Sequence, residues 1–236
     1  MTPEIFNALV FWLPAFLFSL TVHEAAHAWT ARRGGDPTAY LGGQVSLSPW
    51  PHIRRSPLGM LVVPLITTLT QGWTMGWATA PYDHEWAGRH PRRAALMAAA
   101  GPAGNLAIAL VAFALLRAGL ALGCFDAPAQ VTFDRLVDPG LRHVPLDACA
   151  FAATGLSVLL TLNVMLLAFN LLPLPPLDGA MVITLALPGT LARRVRAVTT
   201  APGMSFVGIL AAWRCFPLLT RPLFALVVAL LHPGLY

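Results

Sequence analysis

The sequence contains no lysine, and only 11% of its 236 residues are charged. An average soluble domain carries about 25% charged residues. Hydrophobic residues make up 57% of the chain, and the mean hydropathy is +0.68. This shortage of charge argues against a water-soluble domain. It predicts an integral membrane protein whose main surroundings are the lipid bilayer.

Further absences narrow the class of protein. The 15 basic residues, all arginine, form no stripe interleaved with aromatics, so nucleic acid is not an expected partner. Cys124, Cys149 and Cys215 have no C-x-x-C spacing, which argues against a thiolate metal site. The first apolar run has no basic segment before it, so we do not expect it to be a cleaved signal peptide.

Long apolar runs define the expected membrane spans. They occupy residues 5–31, 57–72, 94–122, 150–172 and 204–231. About 20 residues cross the hydrocarbon layer, so the run at 57–72 is short. The last run contains Pro217 and Pro222, which leaves open whether it forms one tilted helix or two short ones.

These runs predict an all-α polytopic membrane protein with about four to six transmembrane segments. We expect one membrane domain over residues 1–236, with a core at residues 5–185 and a C-terminal helical segment at residues 204–231. The pattern at residues 38–57 adds one exception, because Gln44, Ser46 and Ser48 alternate with Val45 and Leu47. This alternation predicts a short membrane-associated strand or hairpin after the first helix. A strand there could pair with an extended substrate, whereas an interfacial hairpin would not.

The first apolar run contains His23-Glu24-Ala25-Ala26-His27. On a helix, His23 and His27 share a face, so both imidazoles can reach one metal ion. Glu24 lies beside that face, close enough to act on a water molecule there. Two imidazoles and a carboxylate leave one open tetrahedral position, which suits Zn²⁺. A chance match is the alternative, but these polar residues are costly in a lipid-facing segment unless they serve a function.

Asp178 is a candidate third ligand. The run at 150–172 is followed by Pro173, Pro175 and Pro176, which cannot continue a helix. Such a break at membrane depth is tolerated only in a protein-lined or wet cavity. An acid at that depth needs a partner, and a metal ion is the strongest one. The alternative is an interfacial Asp178 that caps a helix beginning at Gly179.

Asn105 lies four residues after Gly101 in the run at 94–122. The small residues around it favour close helix packing, with Asn105 bonding to a neighbouring helix. The functional alternative is that Asn105 donates a hydrogen bond to a substrate carbonyl or oxyanion.

The arginines predict a topology. Ten of the 15 lie in three loops, which the positive-inside rule places in the cytoplasm: Arg32, Arg33, Arg54 and Arg55; Arg89, Arg92 and Arg93; and Arg193, Arg194 and Arg196. This arrangement requires that the run at 57–72 enters the membrane and returns. The N-terminus, the acidic loop at 123–149 and the C-terminus are then external. In that loop, Cys124 and Cys149 either form a disulfide or remain free thiols.

The order of three motifs resembles the site-2 protease family of intramembrane zinc metalloproteases (peptidase family M50). The motifs are His23-Glu24-Ala25-Ala26-His27, Gly101-Pro102-Ala103-Gly104-Asn105 and Leu177-Asp178-Gly179. The resemblance implies one Zn²⁺ per chain, held by His23, His27 and Asp178, with Glu24 as general base. It also implies that Asn105 holds substrate or stabilises the oxyanion, and that Asn170 lies near the cleft. The PDZ or CBS domains that members often carry are not recognisable here.

The resemblance further implies the substrate and the location. The substrate would be a transmembrane protein or peptide, cleaved within or near its helix in regulated intramembrane proteolysis. The protein would sit in a bacterial inner membrane with its active site toward the cytoplasmic side. A homo-oligomer or a regulatory partner stays open. One alternative is a zinc or other metal-ion transporter without protease activity, because histidine and aspartate in broken helices also build ion sites. Another is a catalytically silent scaffold.

Overall fold

The structure, a computed structural model, describes residues 2–140 and 146–234. It is predominantly helical, which confirms the all-α polytopic prediction. The α-helices are α1 (Pro3–Asn7), α2 (Leu13–Arg33), α3 (Thr38–Leu41), α4 (Pro49–Arg55), α5 (Val63–Gln71), α6 (His84–Arg89), α7 (Pro91–Leu122), α8 (Leu146–Asn170), α9 (Gly179–Val182), α10 (Gly189–Thr199) and α11 (Met204–Leu231). A 3₁₀ turn, Ile183–Leu185, follows α9.

Four helices are long and apolar enough to cross a membrane in the described part of the chain: Glu4–Arg33, Pro91–Leu122, Ala148–Asn170 and Met204–Leu231. The first of these joins α1 to α2 through a π-helical turn, Ala8–Trp12. There the N–H of Leu13 bonds to the carbonyl of Ala8, one residue further back than in an α-helix. Pro14 lies two residues after the end of this turn, and the wider turn gives its ring the room that an α-helix would deny it.

The centre of the bundle is built from α2, α7 and α8, with α7 packed against both of the others. The face of α7 that meets them is rich in alanine and glycine, including Ala98, Gly101, Ala109 and Ala112. Small residues let helix backbones approach closely inside a membrane, where apolar burial gives little driving force. By contrast, α11 packs mainly on α8 and leaves most of its surface exposed.

The run at 57–72 forms a short helix that is followed by an extended return segment, and it does not form a full span. A π-helical turn, Leu58–Val62, leads into α5, and Pro64 follows it as Pro14 follows the first π-turn. After Gly72 the chain folds back along α5, and the N–H of Trp77 donates to the carbonyl of Gly59 at 3.0 Å. The segment therefore begins and ends at the same level, as expected of one that enters and returns.

The strand predicted around Gln44–Ser48 is wrong. These residues form a turn and bends between α3 and α4 in the described structure. Gln44 is buried and Leu47 is 70% exposed, the reverse of what a half-buried strand would show. No neighbouring strand offers backbone partners there, so a strand formed by these residues would have no partner for its hydrogen bonds. The one sheet of the described residues lies elsewhere, where β1 (Phe125–Asp126) runs antiparallel to β2 (Asp138–Pro139).

The molecule has two chemically different ends. At one end, Asn7 donates to Asp134 at 2.8 Å and His232 bonds to the carbonyl of Leu136 at 2.8 Å, so both chain ends meet the acidic loop. At the other end, Trp86 donates to the carbonyl of Gly34, which joins the arginine-rich loops. Residues 141–145 of the acidic loop, with Arg142 and His143, lie outside the described residues.

Two points left open by the sequence are decided. Residues 204–231 form one continuous helix despite Pro217 and Pro222. Among the described residues, Cys124, Cys149 and Cys215 are unpaired, so the disulfide alternative for the first two is not realised.

Candidate metal centre

His23 and His27 lie one turn apart on the buried face of α2, and their Nε2 atoms are 3.0 Å apart. Their side chains are almost completely shielded, with residue exposures of 4% and 6%. The helix thus presents both imidazoles to the interior of the bundle, as the four-residue spacing predicts.

Asp178 reaches the histidines from the other end of the chain. Residues 171–178 turn sharply after α8, and Asp178 directly precedes α9. A Cβ on Gly179 would lie 2.3 Å from the carbonyl oxygens of both Leu171 and Leu172, so only glycine allows this turn to close. Asp178 Oδ2 lies 3.1 Å from His23 Nε2 and 3.3 Å from His27 Nε2. Among described atoms its side chain makes no capping bond, unlike the alternative that the sequence left open.

Hydrogen bonds on the far side of each ring determine which nitrogen faces Asp178. His27 Nδ1 lies 2.7 Å from the carbonyl oxygen of Met97, which can only accept, so this nitrogen carries the proton. His23 Nδ1 lies 2.6 Å from Asn105 Oδ1 and likewise donates. In the neutral imidazole each Nε2 then keeps its lone pair, which is the form in which histidine binds a metal.

This arrangement is the test of whether a metal ion fits. Two ring nitrogens and a carboxylate oxygen converge within 3.3 Å of one another. In their metal-binding forms all three atoms present lone pairs, and a shared cation would hold them together. A tetrahedral zinc site with bonds of about 2.0–2.1 Å separates its ligand atoms by about 3.3 Å. The observed separations, from 3.0 to 3.3 Å, match that triangle, and the donor set is one that Zn²⁺ uses.

Glu24 is buried beside the two histidines, with 4% of its surface exposed. Its Oε2 has no hydrogen-bond partner among the described residues. A buried carboxylate oxygen without a donor is unfavourable unless a water molecule or substrate supplies one. Glu24 therefore has the position and the free carboxylate oxygen that a proton acceptor needs.

Gly101 has no side chain, and this leaves space between the ligand atoms. A Cβ on Gly101 would lie 2.3 Å from His27 Nε2 and 2.6 Å from His23 Nε2, inside the space between the ligands. The sequence pattern assigns Gly101 to helix packing only. Its approach to the nitrogens becomes visible only once α7 is docked on α2.

The two asparagines of the sequence analysis occupy different places. Asn105 is fully buried, and its amide is already engaged by His23 on one side and Asn163 on the other. Asn170 lies at the end of α8, partly buried, where its amide donates to the carbonyl of Leu166 at 3.0 Å. Sequence reasoning missed Asn163 and Met97. An isolated amide in the apolar run at 150–172 was the one available signal for Asn163.

The other histidines that the structure describes lie away from this centre. His52 donates to the carbonyl of Ser46, and His232 to that of Leu136. His23, His27 and Asp178 are the only group of metal-ligating side chains found within residues 2–140 and 146–234.

Fold and site together define a class of protein. An integral membrane protein that brings two histidines, an aspartate and an adjacent glutamate together in its interior has the parts of a membrane-embedded metallopeptidase.

The chain belongs to peptidase family M50, whose family model matches residues 11–212. This confirms the resemblance to the site-2 protease family. The matched region contains both histidines, Glu24 and Asp178.

Two relatives illustrate the similarity. "Putative zinc metalloprotease YwhC" of Bacillus subtilis (strain 168) is 34% identical over 187 residues, which are 77% of this chain and 71% of the relative. "Putative zinc metalloprotease Rip2" of Mycobacterium tuberculosis (strain ATCC 35801 / TMC 107 / Erdman) is 32% identical over 173 residues. The match covers 73% of this chain but 56% of the mycobacterial protein. No solved structure matches the chain significantly.

Proposed function

We propose that this protein is an intramembrane zinc metalloendopeptidase that hydrolyses peptide bonds within or near transmembrane helices of membrane proteins. The observation that carries the proposal is the convergence of two imidazole nitrogens and a carboxylate oxygen beside a buried glutamate, in a chain whose helices are long enough to span a bilayer. Family membership and the names of the relatives support the zinc protease chemistry.

His23, His27 and Asp178 hold one zinc ion per chain. When bound, zinc supplies Lewis acidity that polarises the scissile carbonyl. Glu24 accepts a proton from the attacking water through its unpartnered Oε2 and returns it to the leaving amine. The buried surroundings strengthen these charge interactions by excluding bulk water.

The position of the site limits the substrate. His23 lies about 15 Å along the helix from Arg33, so it is inside the bundle but nearer the arginine-rich end. A peptide bond in an intact helix is shielded by its own hydrogen bonds. The substrate helix must therefore unwind locally, and helix-breaking residues in the substrate should promote cleavage.

We assign the arginine-rich end to the cytoplasm of a bacterial inner membrane, because arginine in loops biases them inward. Residues 1–236 then form a single membrane domain, with its core at residues 5–185 and the peripheral α11 at its edge. We keep Asn170 as a substrate contact. The amide of Asn105 already bonds to His23 and to Asn163. We therefore propose that Asn105 orients the His23 ring. Whether regulation involves an oligomer or a partner protein stays open.

The test compares the wild type with Glu24→Gln and His23→Ala in detergent. Each protein is incubated with a panel of single-span membrane substrates, and bound zinc is measured by elemental analysis. We expect Glu24→Gln to keep about one zinc per chain and lose cleavage, because glutamine cannot accept the proton. His23→Ala should lose both zinc and cleavage. An active Glu24→Gln enzyme would refute the mechanism.

The transporter alternative gains no support from the described residues, which contain a single candidate metal cluster and no second one along a path. Zinc flux into proteoliposomes, unaffected by Glu24→Gln, would be the result that favours it.

A further inference from the structure

A chain of buried amides and a hydroxyl leads away from the metal centre. Ser19 on α2, Asn105 on α7 and Asn163 on α8 each have no exposed surface. They connect the three central helices at one level. Neutral polar side chains buried in a membrane bundle are costly to leave unpaired, and here they bond to one another.

The bonds of this chain have a definite direction. Asn163 Nδ2 donates to the carbonyl of Leu159 at 2.8 Å and to Ser19 Oγ at 2.8 Å. A carbonyl can only accept, so the NH₂ of Asn163 must face Leu159 and its oxygen must face Asn105. Asn105 Nδ2 accordingly donates to Asn163 Oδ1 at 2.9 Å.

The same reasoning continues to the metal ligand. Because the NH₂ of Asn105 is directed at Asn163, its Oδ1 is the atom that faces His23 Nδ1, at 2.6 Å. An oxygen there requires a proton on Nδ1. In the neutral imidazole His23 Nε2 then carries the lone pair, and it faces His27 and Asp178.

We infer that Asn163 is a positioning residue that acts through Asn105 to keep His23 in its zinc-binding tautomer. The inference rests on the zinc site of the proposed function and adds residues that lie outside it. Without Asn163, the NH₂ of Asn105 keeps only a long contact of 3.5 Å to the carbonyl of Ser19, which is too weak to stop it from turning toward His23. His23 would then accept at Nδ1 and carry its proton on Nε2, where it blocks the metal.

The experiment measures zinc affinity, not cleavage. Wild type, Asn163→Leu and Thr161→Val are purified in detergent, and the zinc Kd is determined by competition with a chromogenic chelator. Thr161 is the matched control because it is buried on the same helix and its hydroxyl bonds to no described residue. We expect Asn163→Leu to weaken zinc binding by about 10- to 100-fold, the range for residues that orient a ligand. Thr161→Val should bind like the wild type.

A second variant separates positioning from packing. In Asn105→Asp with Asn163→Leu, the aspartate can only accept from His23, whatever lies behind it. We expect this double variant to regain most of the lost affinity, and its Co²⁺ form to regain the visible spectrum of the wild-type site. A purely structural role of Asn163 predicts no such recovery.

Each result decides the inference. Wild-type affinity in Asn163→Leu, equal weakening in Thr161→Val, or no recovery in the double variant would overturn it. If Asn163→Leu does not fold, Ser19→Ala removes one partner of the Asn163 amide at little cost in volume. It should weaken zinc binding in the same direction, and unchanged affinity would count against the inference. A wild type that binds no zinc would instead refute the proposed function.

Discussion

Single residues determine whether there is room for a metal ion between the ligands. The nitrogens of His23 and His27 face the backbone of Gly101, which has no side chain to enter the space between them. The substitution Gly101→Ala would place a methyl group 2.3 Å from His27 Nε2, well inside van der Waals contact. The helix backbone would have to move, or the histidines would have to turn away.

We therefore expect Gly101→Ala to reduce bound zinc from about one per chain to almost none. The matched control is Gly104→Ala on the same helix, whose Cβ would meet Val22 at 3.4 Å, an ordinary contact. Elemental analysis of the two purified variants checks the prediction. Full zinc content in Gly101→Ala would show that the helices are less closely held than the structure indicates.

Asp36 is a second residue whose surroundings make a measurable prediction. Burial raises the pKa of its carboxyl. Hydrogen bonds from the hydroxyl and N–H of Thr38 and from the N–H of Asp83 lower the pKa by more than burial raises it, so the net pKa is lowered. In the unfolded chain the pKa returns to its ordinary value of 3.8. The stabilisation is therefore present above that value and is lost as the pH falls through the lower, folded pKa.

Asp36→Asn should lower the free energy of unfolding by about 1–3 kcal/mol at pH 7, because a charged acceptor for three donors is lost. The difference from the wild type should shrink as the pH falls below 3.8, because the unfolded chain then takes up the proton that folded Asp36 accepts only at a lower pH. Thermal melting in detergent at pH 7 and pH 3 measures both. The control is Asp126→Asn in the exposed loop. An equal deficit at the two pH values would contradict the charge argument.

At the scale of elements, proline-containing helices show how the chain enters and leaves the membrane. Pro14 and Pro64 each follow a π-helical turn, and each turn relieves the contact between the proline ring and the preceding backbone. The break after α8 goes further and reverses the chain so that Asp178 meets α2. This break thus places a carboxylate inside the bundle, next to His23 and His27.

Hydrogen bonds of Arg196 join the helix α10 to α6 and α7. Among described residues α10 has no fully buried side chain, yet Arg196 donates to the carbonyls of Ala87 at 3.3 Å and Pro91 at 2.7 Å. Arg196→Gln is expected to loosen α10, with amide hydrogen exchange in residues 189–199 rising at least severalfold.

Arg193→Gln is the control for this prediction, because Arg193 is exposed and bonds to no side chain or carbonyl of the described residues. Mass spectrometry of deuterium uptake compares the two variants with the wild type. Equal protection in all three would mean that apolar contacts, not Arg196, hold the helix.

For the whole molecule, the separation of charge between the two ends predicts its orientation. The chain ends meet the acidic loop at one end. The ten clustered arginines lie in α2, α4, α6, α7 and α10, and hydrogen bonds of Trp86, Arg93 and Arg196 join α2, α6, α7 and α10 at the other end. Moving arginines across a bilayer is unfavourable, so the arginine-rich end should stay in the cytoplasm.

The orientation can be measured by labelling with a membrane-impermeant thiol reagent. In a variant whose three native cysteines are replaced by serine, Gly88→Cys reports on the arginine-rich end and Ala127→Cys on the acidic end. In intact spheroplasts we expect labelling of Ala127→Cys only, and in inverted vesicles of Gly88→Cys only. The reverse pattern would place the active site on the external side.

The prediction of elements from sequence succeeded where the signal is local. Four apolar runs became spans, and the short run at 57–72 became a returning hairpin, because hydropathy and length act on each segment independently. The strand at Gln44–Ser48 failed for the opposite reason. A strand needs a partner that alternation alone does not supply, and the buried Gln44 shows that tertiary contacts overrode the pattern.

The sequence by itself determined the spans, the helical pairing of His23 with His27, and the acid after the helix break, since each depends on neighbours in the chain. Only the tertiary structure decided the rest of the metal centre. His23 meets Asn105 across 82 residues, and Asn105 meets Asn163 across 58. Which nitrogen of His23 carries the proton, and why Gly101 has no side chain, follow from helix packing at distances where sequence spacing carries no information.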